Sequence, residues 1–368
     1  MDDTAEVCLH GAASGYRMTQ WVRQKEEKMK YRAKDIAREV GVSPATVSLV
    51  LNNRPGVGEK KRREIVDKIV ELGCEYLLRG DEADRTEQDD VGFVIYKCRG
   101  TIIEEYPVFN YMSESITKAL EKHNYRMNIM YLNKEDSPAE RRQALENLNC
   151  AGFIVYAVEM YAEDIETFSE LDVPCVFLDN PFYDAEVDVV TVDNYWGIQQ
   201  EFEYLYERGH REIGYIKSKI PIECFDERYD AYCRMMQKKG LEIQPDYIMH
   251  LGYLEKETGE DVKNYLAQQT RLPTAFLADN DLLGCRALRI FKKKGIEVPE
   301  EVSFVGFDNR RICSFVEPSM TTIELPSESM GEIAVEILMK RINRDDGVRI
   351  KCKVIPKLIK KHSVKEIR

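Results

Sequence analysis

A chain of 368 residues, 43% hydrophobic and 32% charged, is long enough for two or three buried cores and too apolar to stay disordered. It has no apolar run of the roughly eighteen residues a membrane helix needs, nor a charged N-terminal segment leading into an apolar stretch; the expected location is the cytoplasm. The net charge of -12 argues against general coating of nucleic acid, but it is unevenly placed: between Met29 and Leu72, ten Lys/Arg face six Asp/Glu, which leaves +4 there and -16 elsewhere. The ten cysteines run singly from Cys8 to Cys352 without a C-x-x-C pair, and the five histidines are equally dispersed. They read as reduced thiols and ordinary imidazoles, so no metal, cofactor or catalytic cluster is expected.

Residues 1–28 show no sustained period and read as a flexible extension or as sequence ahead of a true start at Met29, the second being preferred. From Lys34 to Asn53 the pattern predicts two short helices and a tight turn. Ile36, Ala37 and Val40 form an apolar stripe, Gly41 supplies a left-handed terminus, and Ser43-Pro44 opens the second helix as cap and first helical residue. Val47, Val50 and Leu51 share one face of that helix, which turns Ala45, Thr46, Ser48 and Leu49 outward. This small outward face suits the major groove, though an ordinary helical hairpin would show the same pattern. A third helix is predicted from Glu59 to Leu72, with Ile65, Ile69, Val70 and Leu72 packing inward. Lys60, Lys61, Arg62 and Arg63 crowd its first turn, where they oppose the helix dipole unless a phosphate backbone lies opposite; a merely solubilising run is the alternative.

The string VSPATVSLVLNNRPGVGEKKRREI resembles the DNA-binding headpiece of the LacI/GalR family of bacterial transcription regulators, from Asp35 to Leu72. That resemblance implies a headpiece over 29–74 that contacts operator DNA through Ser43, Pro44, Ala45, Thr46, Ser48, Leu49 and Asn52, with Arg62 and Arg63 on the backbone. Residues 75–90 would be the linker, which in the family folds as a hinge helix with a leucine wedged into the minor groove. Here Ala83 takes the leucine position, among seven Asp/Glu and two Lys/Arg. Leu77 or Leu78 would serve only in a shifted register.

From Val91 onward, continuously apolar strands alternate with amphipathic helices. The first half reads VGFVIY, Phe109 to His123, RMNIMYL, Pro138 to Leu148, GFIVYAV, Ala162 to Leu171 and PCVFLDN. The second reads EIGYIKS, Glu227 to Gly240, DYIMHL, Gly259 to Gln269, TAFLADN, a helix to Lys294, and VSFVGFD. Such alternation predicts an α/β fold: an all-α helix-turn-helix headpiece, then two parallel-sheet lobes over 91–362 similar to type I periplasmic binding proteins. The blocks DNYWGIQQEFEYLYERGHREIGYI and PTAFLADNDLLGCRALRIFKKKGIEVPEEVSFVGFDN, with EPSMTTIELPSESMG, resemble the same family, so the likeness runs from residue 29 to about 345.

Ligands of open α/β sheets sit beyond the carboxyl ends of strands. By resemblance the effector would meet Arg228, Asn280, Asp308 and Phe109, with Asp179 a further candidate; as ordinary structure these would be a surface arginine, turn caps and a core ring. The segment GYLEKETG puts Leu254 where the family often has an aromatic, and Tyr253 would replace it only if the loop shifts. Lys217-Ser218 stand where glycines are common. The resemblance implies a ligand-responsive repressor acting as a homodimer on a pseudo-palindromic operator, without a cofactor, sensing a sugar or sugar derivative first and a nucleobase or nucleoside second. Helices Phe109 to His123 and Asp281 to Lys294 would supply dimer surfaces. An exported solute receptor and an enzyme are the rivals, but there is no nucleophile elbow, phosphate loop or metal spacing to support catalysis.

Overall fold

The computed structural model describes residues 33–51, 56–72, 90–105, 109–344 and 346–367. They fall into two compact units, the first ending at Thr86 and the second starting at Glu87. Residues 1–28, Asn52 and the linker leucines and Ala83 lie outside the described set.

Among the described residues, the first unit holds three helices: α1 (Ala33–Val40), α2 (Pro44–Leu51) and α3 (Glu59–Glu71). Its core is Ile36, Ala37, Val47, Val50, Ile65 and Ile69, all buried, with Val42 and Leu51 partly covered against them. Gly41, at φ +67°, ends α1, and the Val42 and Gly41 amides donate back to the Ala37 and Arg38 carbonyls, closing a Schellman terminus. The Ser43 hydroxyl accepts from the Thr46 amide at 3.1 Å. One expectation fails on α3: Val70 is 50% exposed, and Val66 packs inward instead. The inward row of α3 is therefore 65, 66, 69 and 72, a stripe in which position 70 falls on the far side.

The second unit holds two six-stranded sheets. The N-lobe sheet contains β1 (Asp90–Lys97), β2 (Arg126–Asn133), β3 (Gly152–Tyr156), β4 (Cys175–Leu178), β5 (Asp188–Val192) and β11 (Lys351–Val354), all parallel in the order β11-β5-β4-β3-β1-β2. Helices α4 (Thr101–Glu105), α5 (Phe109–Lys122), α6 (Pro138–Asn147), the short α7 (Glu166–Ser169) and the C-terminal α13 (Ser327–Asn343) belong to it, α13 packing on α5 and on β3 to β5. The C-lobe sheet contains β6 (Ile213–Ser218), β7 (Ile248–Leu251), β8 (Ala275–Ala278), β9 (Ser303–Asp308), β10 (Thr321–Glu324) and β12 (Lys357–Ile359), in the order β12-β10-β9-β8-β6-β7. Only β12 is antiparallel to its neighbour there. Its helices are α8 (Asn194–Glu207), α9 (Glu223–Lys238), α10 (Glu255–Gln268), α11 (Asp281–Lys293) and the short α12 (Ile312–Phe315). Residues of β1, β3 and β5 are buried almost throughout, as strands covered on both faces must be.

The chain crosses between lobes three times, between β5 and α8, between β10 and α13, and between β11 and β12. Pro326 and Pro356 lie in the second and third crossings. The alternation from Val91 is as expected in most elements, but four predicted boundaries shift. Asp90 opens β1 rather than ending the linker, because Arg126 Nε and Asn128 Nδ2 donate to its carboxylate at 2.8 and 2.9 Å. The helix placed at Ala162 to Leu171 is a 3-10 turn over Ala162–Ile165 followed by α7. Helices α9 and α10 each begin four residues earlier than Glu227 and Gly259. Strand β5 and everything from β10 onward were not part of the alternation read from sequence. The tail past 345 completes both sheets, and beyond 362 the Ser363 hydroxyl donates to the Phe304 carbonyl at 2.5 Å. Helix α11 is buried over Asp281 to Leu288 and at Phe291, exposing Arg289, Lys292 and Lys293. It packs mainly within its own lobe and keeps one exposed, basic edge.

Candidate functional site

Two sites emerge, one in each unit. On the headpiece, Ser43, Pro44, Ala45 and Ser48 are exposed, while Thr46 and Leu49 are half-buried, so the outward face of α2 is the face expected. Ser43 and Thr46 hydroxyls bond to each other at 2.8 Å, which occupies part of their capacity for bases or phosphates. In the first turns of α3, Arg63 is exposed and Arg62 half-exposed, while Lys61 is tied to Glu64 at 3.0 Å. That ion pair relieves some of the charge crowding at the start of α3.

The second site lies where strand ends of the two lobes meet. Arg228, in the second turn of α9, is 3% exposed and is the centre of it. Its Nε donates to Asn194 Oδ1 at 2.8 Å, its Nη1 donates to the Asp279 carbonyl at 2.5 Å, and the same nitrogen is 3.5 Å from an Asp308 carboxylate oxygen. The guanidinium also lies 3.7 Å from the centre of the Phe307 ring. Asp308 bridges to Arg310 at 3.4 Å on its other oxygen. Arg228 is thus held on several sides, and is not a surface arginine.

Asp179 follows β4 and faces this group from the other lobe. The Cys224 thiol, one turn before Arg228 on α9, donates to the Asp179 carbonyl at 3.0 Å. Burial pushes the Asp179 carboxyl up to about 7, with Arg228 pulling it back and Asp308 adding to the rise. Burial likewise raises Asp279 and Asp281 to about 7 and raises Asp308, whose two arginine partners oppose the shift. Asp179, Asp308 and Asn309 all have positive φ, at 65°, 111° and 48°. Non-glycine residues hold such geometry only where surrounding contacts fix it, and such strain gathers at ligand sites. Gly306 permits a further close approach: a Cβ there would meet Asp281 Oδ1 at 2.3 Å.

Asn280 accepts from the Leu283 amide at 3.1 Å and so caps α11, while its Nδ2 donates to the Tyr253 hydroxyl at 2.9 Å. Tyr253 is 1% exposed and Leu254 is 48% exposed. The aromatic bonded to Asn280 is therefore Tyr253, while Leu254 faces solvent. Lys217 pairs with Asp226 at 2.9 Å, and the Ser218 amide donates to Asp279 at 2.6 Å, so both non-glycine residues have structural employment. Phe109 is the first residue of α5, and its side chain lies outside the described set. Arg228, Asp308 and Asp179 are brought together, and Asn280 joins them through Asp279.

Openings flank this group. A cavity of about 180 Å³ is bounded by Glu159, Asn180, Phe182 and Tyr183 from the N-lobe and by Ile222 and Glu223 from the C-lobe. On the hinge side a cavity of about 1180 Å³ is lined by Asp308, Asn309, Arg310, Leu325, Pro326 and Ile355. The lobes are clasped beside the smaller opening: Glu227, on α9, takes Lys353 Nζ of β11 at 2.8 Å, accepts from the Tyr183 hydroxyl, and accepts from Asn194 Nδ2 at 2.7 Å.

Residues 33–74 match the family described as bacterial regulatory proteins, lacI family, and residues 202–364 match a periplasmic binding protein-like domain. The chain therefore carries a LacI-family helix-turn-helix domain followed by a periplasmic-binding-protein-like domain. It is similar to the HTH-type transcriptional repressor PurR of Pasteurella multocida (strain Pm70), 28% identical over 338 residues, which cover 90% of this chain and 98% of that protein. Among solved structures, the lac repressor dimer bound to operator and the anti-inducer ONPF superposes with a TM-score of 0.72 at 19% identity, over 91% of this chain and 99% of that one. The complex of the transcriptional regulator CelR with cellobiose gives 0.68 at 22% identity, over 91% and 100%. At these identities the two structures speak for the fold.

The periplasmic-binding-protein-like match runs to residue 364, past the 345 at which the likeness read from sequence ended. Sequence reasoning also passed over Asn194, Cys224, Asp279, Asp281, Arg310 and the inward role of Tyr253. The strings ADND and GFDNRR carried a signal for three of these, since polar residues directly after a buried strand fall at its carboxyl end. Nothing in the sequence marked Cys224. The described residues include no helix long and apolar enough to cross a membrane.

Proposed function

We propose that this chain is a ligand-responsive, DNA-binding transcription repressor whose effector is a sugar or sugar derivative bound around Arg228, Asp179, Asn280 and Asp308. In this reading the headpiece over 29–74 meets operator DNA through Ser43, Pro44, Ala45, Thr46, Ser48, Leu49 and Asn52, with Arg62 and Arg63 on phosphates. The domain over 91–362 takes the effector and pairs two copies into a homodimer on a pseudo-palindromic operator. The observation that carries the effector reading is the buried acid cluster around one arginine. Carboxyls poised near neutrality accept from some hydroxyls and donate to others, and a guanidinium fork holds a vicinal pair, which suits a polyhydroxylated ligand. A solved relative of the same fold holding cellobiose supports this class.

The mechanism follows from the division of the site between lobes, with Asp179 on one and Arg228, Asn280 and Asp308 on the other. An effector that binds the closed arrangement more tightly than the open one shifts the population by its differential affinity and no more. Closure is resisted or favoured at the three crossings and at the Glu227 clasp, and the change would be read out as a change in the spacing of two headpieces on DNA. A nucleobase or nucleoside is the second reading, favoured by the buried Tyr253 ring beside the Asn280 amide, a flat surface next to a group able to read a ring edge. A thermal-shift screen over monosaccharides, disaccharides and nucleosides tests both. A sugar that raises the unfolding midpoint of the wild type but not of Arg228→Ala supports the first reading; a response only to nucleosides transfers the site to the second.

A further inference from the structure

The C-lobe gathers three sulfur atoms that the effector reading does not use. Cys285, on α11, and Cys313, on α12, lie with their Sγ atoms 4.0 Å apart, and Cys285 Sγ is 3.9 Å from Met320 Sδ. All three side chains are fully buried. Residues 28 and 35 positions apart in sequence are brought together by the fold, with Met320 held in place by its amide, which donates to the Cys313 carbonyl at 2.9 Å. We propose that Cys285, Cys313 and Met320 form a binding site for a thiophilic monovalent metal ion, Cu(I).

The argument is one of spacing and softness. Metal–sulfur bonds of about 2.3 Å in a trigonal arrangement place the sulfurs about 4 Å from one another, since the side of the triangle is √3 times its radius. Two of the three sides, Cys285–Cys313 at 4.0 Å and Cys285–Met320 at 3.9 Å, meet that requirement. Thiolate and thioether donors select Cu(I) over harder ions, and no group of three His, Cys, Asp or Glu side chains among the described residues offers a competing site for a harder metal. Binding displaces the Cys285 and Cys313 protons to solvent, while the Met320 thioether donates a lone pair with no proton change, and the metal keeps its oxidation state. The Asp281 carboxylate accepts from the Thr322 hydroxyl and the Arg310 amide, both at 2.6 Å, and also from the Cys313 thiol, so metal binding would release Cys313 from Asp281 while that carboxylate keeps its other two donors.

Position gives the site a consequence. Helix α11 begins at the Asn280-Asp281 pair, and Cys313 follows the Asp308–Arg310 loop, so a bound ion would tie together the two elements that present these groups to the cleft. Metal occupancy would then alter how freely those elements move, independently of which effector the cleft accepts.

The test is an anaerobic titration of the reduced full-length protein with Cu(I) buffered by a chromophoric chelator. The wild type should withdraw one equivalent more than Cys285→Ala or Cys313→Ala, and Met320→Leu should hold it at least tenfold more weakly. X-ray absorption of the loaded wild type should show a shell of three sulfurs near the expected bond length. Equal uptake by wild type and the Cys285→Ala, Cys313→Ala double variant would overturn the proposal, because the other thiols would then be holding the metal. Should an alanine variant fail to fold by circular dichroism, the absorption spectrum decides: a three-sulfur shell supports the site, and a two-coordinate or nitrogen/oxygen shell rejects it.

Discussion

Glu201 is the least comfortable side chain among the described residues. It is fully buried on α8 and neither carboxyl oxygen has a hydrogen-bond partner, so burial drives its pKa well above the ordinary carboxylate range and keeps it neutral. Glu201→Met preserves volume and removes the unsatisfied group; it should stabilise the domain by about 1–3 kcal/mol, read as a higher urea midpoint, with the gain growing as pH rises. Asp179 makes the same argument with a defined pH window. Its folded pKa of about 7 lies above the unfolded 3.8, so its contribution is fully present at low pH and is lost as pH climbs through 7. Asp179→Asn should therefore change the unfolding midpoint little at pH 4 and raise it at pH 8; equal shifts at both would refute the buried-acid description. His210 runs the other way. Burial lowers it to about 4, with its ring bonded to Thr274 and the Lys365 carbonyl, so the stability it confers is present above its unfolded pKa of 6.5 and fades as pH falls toward 4.

At the scale of elements, the headpiece was legible because its rules are local: a capping serine, a glycine at positive φ and a period of apolar residues each act within one turn. Val70 was misplaced because the inward stripe runs through 65, 66, 69 and 72, which leaves position 70 on the far side of the helix. The effector cleft was only partly legible. Arg228 and Asp308 stood in recognisable strings, but the contacts that define them come from Asn194, Asp279 and Arg310, brought together over distances no sequence window spans. Strands β11 and β12 escaped because a short edge strand with alternating charge gives a weak apolar signal. Two outcomes are expected for the helices themselves. Ser43→Ala should cost the headpiece about 1 kcal/mol through loss of the α2 cap. Arg62→Ala with Arg63→Ala should weaken DNA binding across all sequences and flatten its salt dependence by about two counterion units, as measured by the slope of log K against log salt.

For the whole molecule, opposite demands are met by two units of unlike charge. The +4 over Met29 to Leu72 draws phosphate, and the -16 elsewhere keeps the rest of the chain from binding it indiscriminately. The effector domain has its lobes joined by three crossings and clasped by Glu227, an arrangement suited to a closure equilibrium of a few kcal/mol. Glu227→Gln weakens that clasp and should lower effector affinity while leaving effector-free DNA binding unchanged, measured by thermal shift and mobility shift together. The central claim is that this chain binds particular DNA sequences. It is tested most directly by incubating full-length protein with sheared genomic DNA at low salt, sequencing what is retained, and repeating the retention as salt is raised. The account predicts a small set of enriched fragments sharing a two-fold-related motif, released steeply with salt. Retention no greater than that of a protein lacking residues 29–74 would contradict it.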